Sequence, residues 1–364
     1  MKKILSAFLS LLLIITAVPI AHALNKDSFV YTDNGDGTCT ITSYRNFREA
    51  DVDIPNNFDG LTVTGIANNA FKQKSAIEEV RIPNTVTYIG AYAFYGCTKL
   101  RSVIIGTGVT AIGDHAFNGC VSLTGVNVKN AQHIGEYAFN NCTALTEFSS
   151  SSALKTIGKR AFWKCALLDY LKFSEGIEEI GDYAFAECSA IPSLKFPDSL
   201  KKIGLSAFSN CTALETVTFG NGALEIGAYA FENCILLTEV TIPKTVVSIG
   251  KNAFAFREPE STQFTHSVKI ICNIDSAGVK YSINSSAPVY IIELGRTVDN
   301  FGDIDGKDGI TTEDARKALR LAASLEKEPD EETLFLGDLN RNGYIDIEDA
   351  RTILTKTAGI TPQQ

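Results

Sequence analysis

LRSVIIGTGVTAIGDHAFNGC, residues 100–120, is the stretch whose reading decides the fold. Its apolar positions are Leu100, Val103, Ile105, Val109, Ile112, Ala116, Phe117 and Cys120. Val103 and Ile105 alternate with Ser102 and Ile104, the two-residue period of a short strand with one buried face. Gly106 ends that strand, and Gly113 permits a turn leading into Ala116-Phe117. One such unit cannot bury its apolar side alone.

The same pattern recurs along the chain. An Ala-Phe pair places Phe71, Phe94, Phe117, Phe139, Phe162, Phe185, Phe208, Phe231 and Phe254 at steps of 23 residues, with a single step of 22. Cys97, Cys120, Cys142, Cys165, Cys188, Cys211 and Cys234 keep the same beat, as does Ile-Gly from Ile89-Gly90 to Ile249-Gly250. Stacked copies bury their apolar sides against each other, which makes a solenoid. The expected fold is β-rich, with about nine rungs of 23 residues.

The pattern Cys-x-x-Leu-x-x-Val-x-Ile-Pro…Ile-Gly-x-x-Ala-Phe resembles the BspA-like leucine-rich repeats of bacterial surface and secreted proteins, over about Asp51 to Phe256. The resemblance implies a leucine-rich-repeat solenoid closed by end caps. Residues 24–65 then form the N-terminal cap and first partial repeat, 66–256 the repeats, and 257–296 the C-terminal cap. Phe29 to Tyr44, with the turn signal Asn34-Gly35-Asp36-Gly37, reads as a hairpin. Asp33 to Gly37 superficially suggests a calcium loop, but its twelfth position is Tyr44, so the turn reading prevails.

Residues 1–23 read as a signal peptide. Lys2 and Lys3 precede an apolar run from Ile4 to Ile20, and Ala21-His22-Ala23 has the small-x-small cleavage form. The run is short for a membrane anchor. The expected location is secreted and extracellular, associated with a cellulosome or a cell surface. The 364 residues carry 33 Lys plus Arg against 42 Asp plus Glu, a charge of −9 that becomes −11 without Lys2 and Lys3. That sign excludes a phosphate-binding surface, so nucleic acid is no expected partner. With 45% hydrophobic and 21% charged residues, the chain is foldable and globular. Export admits disulfides, and adjacent rungs about 4.8 Å apart could form them. Seven cysteines in one column cannot all pair, however, and nine in total is odd, so a ladder of small buried side chains is the preferred reading.

After a short linker at 297–301 the repeat stops, and residues 302–364 hold 14 acids against 8 bases. Gly302 to Arg316 aligns with Gly337 to Arg351, and both enter helical patterns, Ala315 to Leu325 and Ala350 to Thr357. The second copy has oxygen ligands at loop positions one, three, five, nine and twelve: Asp338, Asn340, Asn342, Asp346 and Asp349. Gly343 stands at the sharp turn and Tyr344 offers its carbonyl, the hard-oxygen set that Ca²⁺ requires. Twin loop-helix units of this kind resemble a type I dockerin, the small α-helical module that docks components onto scaffold cohesins. By that resemblance the first copy would bind Ca²⁺ through Asp303, Asp305, Asp314 and Thr311. Lys307 departs from the ligand pattern there, so either Asp308 swings in or the site is weaker. The resemblance also implies a cohesin-binding surface of Thr312, Glu313, Arg316, Leu319 and Arg320, with Ile347, Glu348, Arg351, Leu354 and Thr355 in the second copy.

Alternation places Glu79, Arg81, Ser102, Asn127, Lys129, Glu147, Tyr170, Lys172, Lys195, Thr216, Thr218, Glu239 and Thr241 on the outward strand face. Tyr170, Lys172 and Lys195 make its densest patch, and Trp163 or Tyr95 could stack on a sugar ring. These are the candidates for an unknown protein or glycan ligand. No metal, nucleophile-elbow or phosphate-loop motif appears, so an enzyme is not expected. The function expected is a secreted, non-catalytic binding protein anchored through its dockerin in a cellulosome, in the service of polysaccharide breakdown. The alternatives are an adhesin or inhibitor-like protein with a structural calcium module, and a cryptic polysaccharide hydrolase.

Overall fold

The computed structural model describes residues 26–222, 224–257, 264–266, 268–272, 277, 290–293, 304, 310–323, 337, 339 and 344–357. The stretches read as a signal peptide and a linker, and most of the stretch read as the closing cap, lie outside them. The repeats wind as expected, but each rung contributes two strands rather than one. The outward strands anticipated by alternation run from Glu79–Arg81 and Ser102–Ile104 through Tyr170–Lys172 to Thr216–Thr218 and Glu239–Thr241. A second short strand ends at the recurrent isoleucine, as in Tyr88–Ile89, Ala111–Ile112, His133–Ile134 and Thr156–Ile157. These isoleucines pair in parallel register from rung to rung.

The second strands build one long sheet of 12 strands. It opens on the antiparallel hairpin of Phe29–Asp33 and Thr38–Tyr44, which joins Leu61–Ile66 in parallel. The outward strands from Asp51–Asp53 to Tyr170–Lys172 form a six-stranded sheet, and Ser193–Lys195 starts a separate ladder with Thr216–Thr218. The glycine after each isoleucine sits where neighbouring rungs nearly touch. A Cβ on Gly113 would stand 2.7 Å from the Ala91 nitrogen.

Between the sheets, the Ala-Phe turns are tied along the stack. The Phe94 N–H donates to the Ala116 carbonyl at 2.7 Å, and Phe117 to Ala138 at 2.7 Å. The nine phenylalanines form one column, with ring centroids 4.8 to 5.5 Å apart and planes within 15°. Tyr44 of the hairpin extends it, 5.2 Å from Phe71. Stacked, fully buried rings supply both apolar burial and aromatic attraction.

All nine cysteines are buried, and none is in a disulfide. Each thiol in the column donates to the phenylalanine carbonyl one rung back, from Cys97 to Phe71 at 3.1 Å through Cys234 to Phe208 at 3.3 Å. Those hydrogen bonds give the ladder a polar role besides packing. In the first rung Lys74 takes the cysteine's place, with its ammonium 3.4 Å from the centroid of the Phe47 ring.

Toward the C-terminus α1 spans Thr312–Ala322 and α2 spans Ile347–Thr357. Each starts three residues before the apolar pattern suggested. For α1 the reason is its cap: the Thr311 side chain accepts from the Glu313 N–H, and Asp314 reaches back to the Thr311 N–H. The two share a small core of their own, Ile304, Ala315, Ala318, Ile345, Ala350 and Ile353.

Candidate functional site

Tyr170, Lys172 and Lys195 are all exposed on the outward strand face, as alternation requires. Tyr170 lies beside Glu147 and Lys172 beside Ser149, while Lys195 falls across the break between the two ladders. Trp163 does not join them. It sits in the turn column, where its indole N–H donates to Glu187 Oε1 at 2.9 Å. Arg160 and Lys164 each lie 4.6 Å from its ring centroid, so its π face is already engaged by cations.

That turn column holds a feature the sequence reading passed over. Tyr92, His115 and Tyr137 stack face to face, 4.5 and 4.6 Å apart with planes 6° from parallel. Arg160 continues the stack, its guanidinium 5.6 Å from the Tyr137 ring and 4.9 Å from Tyr183. All five residues take positive φ, between 55° and 58°, a region bulky side chains rarely enter. Backbone bonds to the next rung hold them there, such as the His115 N–H to the Glu136 carbonyl at 2.7 Å. Burial pushes the His115 pKa down, against Asp114 and Glu136, which push it up. The signal in the sequence was the ring or cation recurring immediately before Ala-Phe.

In the C-terminal pair, two buried carboxylates play matching parts. Asp314 accepts the Ile304 N–H at 2.7 Å and the Thr311 N–H at 2.8 Å. Asp349 accepts the Leu339 N–H at 2.7 Å and the Asp346 N–H at 2.9 Å. Each carboxylate thus ties position two and position nine of its own loop to position twelve. Asp303, Asp305, Asp308, Asp338, Asn340 and Asn342 lie outside the described residues. Among the described residues, no three His, Cys, Asp or Glu side chains converge as a metal cluster. Thr312, Glu313, Arg316, Leu319 and Arg320 are exposed along α1, and Ile347, Glu348, Arg351 and Leu354 along α2. The Thr355 side chain lies outside the described residues.

A family model described as the BspA type leucine rich repeat region, in six copies, matches residues 64–191 and 156–274. No curated protein matches the chain. Among solved structures, a leucine-rich repeat protein from Bacteroides ovatus ATCC 8483 is 25% identical with a TM-score of 0.58, over 73% of this chain and 76% of that one. The leucine rich repeat protein of T. pallidum is 26% identical with a TM-score of 0.45, over 58% of this chain and 89% of that one. A leucine rich cell surface protein from Faecalibacterium prausnitzii A2-165 is 23% identical with a TM-score of 0.42, over 74% and 94%.

Proposed function

The chain belongs to the BspA-type leucine-rich repeat family, and from that premise we propose that it is an exported, non-catalytic binding protein with two working ends. The solenoid carries a protein or glycan ligand. The C-terminal pair is a dockerin that plugs the chain into a cohesin, in a calcium-dependent way.

The observation that carries the docking half is the matched closure of the two loops by Asp314 and Asp349. A duplicated loop closed at position twelve by a buried carboxylate is a frame for hard-oxygen ligands, and the surrounding Asp, Asn and carbonyl donors suit Ca²⁺. Asp303, Asp305, Asp308 with Thr311 and Asp314 would hold one ion. Asp338, Asn340, Asn342, Asp346 and Asp349, with the Tyr344 carbonyl, would hold the other. Bound calcium would supply the positive charge that this acidic module lacks. The exposed Leu319, Ile347 and Leu354, 48%, 70% and 49% accessible, then offer apolar anchors between Arg316, Arg320 and Arg351.

The test is capture of the full chain on a panel of immobilised type I cohesins, in calcium and in chelator. Calcium-dependent capture, weakened by Leu319→Ala with Ile347→Ala, is the expected result. Calcium binding with no capture by any cohesin would reduce the module to a structural clasp and leave an adhesin.

A further inference from the structure

One rung breaks the period. Phe117 and Phe139 are separated by 22 residues rather than 23. The missing residue falls in the turn after the outward strand, where Lys129-Asn130 does the work of Gly106-Thr107-Gly108 in the rung before. The outward strand there is reduced to Gly125–Val126, with a single paired position to the next rung. Beside this short turn lies a groove of about 720 Å³, bordered by Asn56, Asn84, Ile104, Thr107, Asn127 and Lys129. It crosses four rungs, and three steps of about 4.8 Å make it roughly 14 Å long.

Its chemistry is specific. Ile104 presents an apolar surface that is 51% exposed. Asn84 Oδ1 accepts the Thr107 N–H at 2.8 Å, which leaves the Asn84 amide hydrogens as the groups to offer outward. Asn130 donates to the Thr107 carbonyl at 2.6 Å and fixes the short turn. Lys129 is exposed and is the one charged residue among those lining the groove. The chain's net charge of −9 repels anions at long range, but the residues lining this groove include no carboxylate, and the Lys129 ammonium gives a negative group a local partner.

We propose that this groove binds an acidic oligosaccharide, with a uronate carboxylate on Lys129, hydroxyls on Asn84 and Asn127, and a sugar face on Ile104. The assignment rests on the reading of the solenoid as the ligand-binding end, and it moves the site away from Tyr170. Amide side chains both donate and accept, as sugar hydroxyls do. On the Asn84 side of the groove the backbone is already paired, the Ile82 N–H donating to the Ile104 carbonyl at 2.9 Å, so a peptide strand has no ladder to extend there.

Titration calorimetry of the full chain with tetragalacturonate tests this. Binding should fall roughly tenfold or more in Lys129→Gln, the loss expected for one charge-assisted bond. Ile104→Ser should weaken it too, and Tyr170→Ala should leave it unchanged, with all melting curves superimposable. No binding, or equal binding of neutral cellotetraose, overturns the proposal. Loss in Tyr170→Ala but not in Lys129→Gln also overturns it, yet leaves the solenoid as a glycan binder at its strand face. Tetraglutamate bound as tightly, with the same sensitivity to Lys129→Gln, would overturn the carbohydrate assignment in favour of an acidic peptide. Retained cohesin capture throughout would separate any of these failures from failure of the docking end.

Discussion

Tyr92 lies flat on His115, ring centroids 4.5 Å apart and planes 6° from parallel, although both residues sit at φ 58°. Asn118 Nδ2 is 2.8 Å from His115 Nδ1, a contact the neutral ring accepts. Burial is the larger influence on the imidazole and pushes its pKa below the ordinary value of 6.5, while Asp114 and Glu136 act in the other direction. A base with a lowered folded-state pKa favours folding while it is neutral. Its contribution is complete above about pH 6.5 and is lost as pH falls through the folded value.

The Tm should therefore carry an acid-dependent component just below pH 6.5 that His115→Tyr removes. Tyrosine keeps the stack, since Tyr92 and Tyr137 already adopt the same φ. Scanning calorimetry from pH 7.5 to 5 reads the difference. Parallel curves for the two proteins would show that His115 titrates alike in folded and unfolded chains.

Phe162 is wholly buried, 5.1 Å from Phe139 and 4.9 Å from Phe185, with Phe148 tilted against it at 4.5 Å. Rungs tied by backbone bonds on both sides cannot close over a missing ring. Phe162→Ala should cost about 3 to 5 kcal/mol and lower the Tm clearly. Ser149→Ala, on the exposed strand face, should not. Equal losses would mean that the column is not the core.

The Phe, Cys and Ile-Gly columns were legible because a fixed period sends the same residue to the same environment in every rung. The second strand was not, since two residues such as Tyr88 and Ile89 are too few to show a period of two. The stack from Tyr92 to Tyr183 escaped for another reason. Its members differ in type, and each meets its partner across 22 or 23 residues, a contact that exists only once the rungs are superimposed. Trp163 and Tyr170 both occupy positions outside the core but not the same face, and sequence gives the first without the second. The groove beside Lys129 lies at a one-residue shortening that the spacing shows, but its walls come from four rungs and exist only once these are stacked.

The column thiols should be inert in the folded protein. Burial pushes Cys97 and Cys211 up to about 12, and drives Cys120, Cys142, Cys188 and Cys234 well above the usual thiol value. Only the thiolate attacks an alkylating agent. Iodoacetamide at pH 8 should leave the native chain unmodified by mass spectrometry and modify all nine cysteines in denaturant. Adducts on Cys142 or Cys165 under native conditions would show that the stack opens at its middle.

The C-terminal pair should depend on calcium for its order. Among the described residues its buried core is of small or medium side chains, Ile304, Ala315, Ala318, Ile345, Ala350 and Ile353, and a unit of about 60 residues is marginal on its own core. Fourteen acids against eight bases also repel one another without a cation. Limited trypsin digestion of the full chain tests this at Arg316, Arg320 and Arg351, all on the exposed sides of α1 and α2. Calcium should protect these bonds and chelator should expose them, while the repeats resist in both. Asp338→Ala should cost more protection than Asp303→Ala, because Lys307 already breaks the ligand pattern of the first loop. Asp349→Asn should act differently from either. It keeps a side-chain oxygen for the Leu339 or Asp346 N–H but removes the charge, so its loss should appear as a higher calcium requirement rather than as cleavage at saturating calcium. Equal protection in chelator for the unmodified chain would leave the loops closed by Asp314 and Asp349 alone, with no role for the metal.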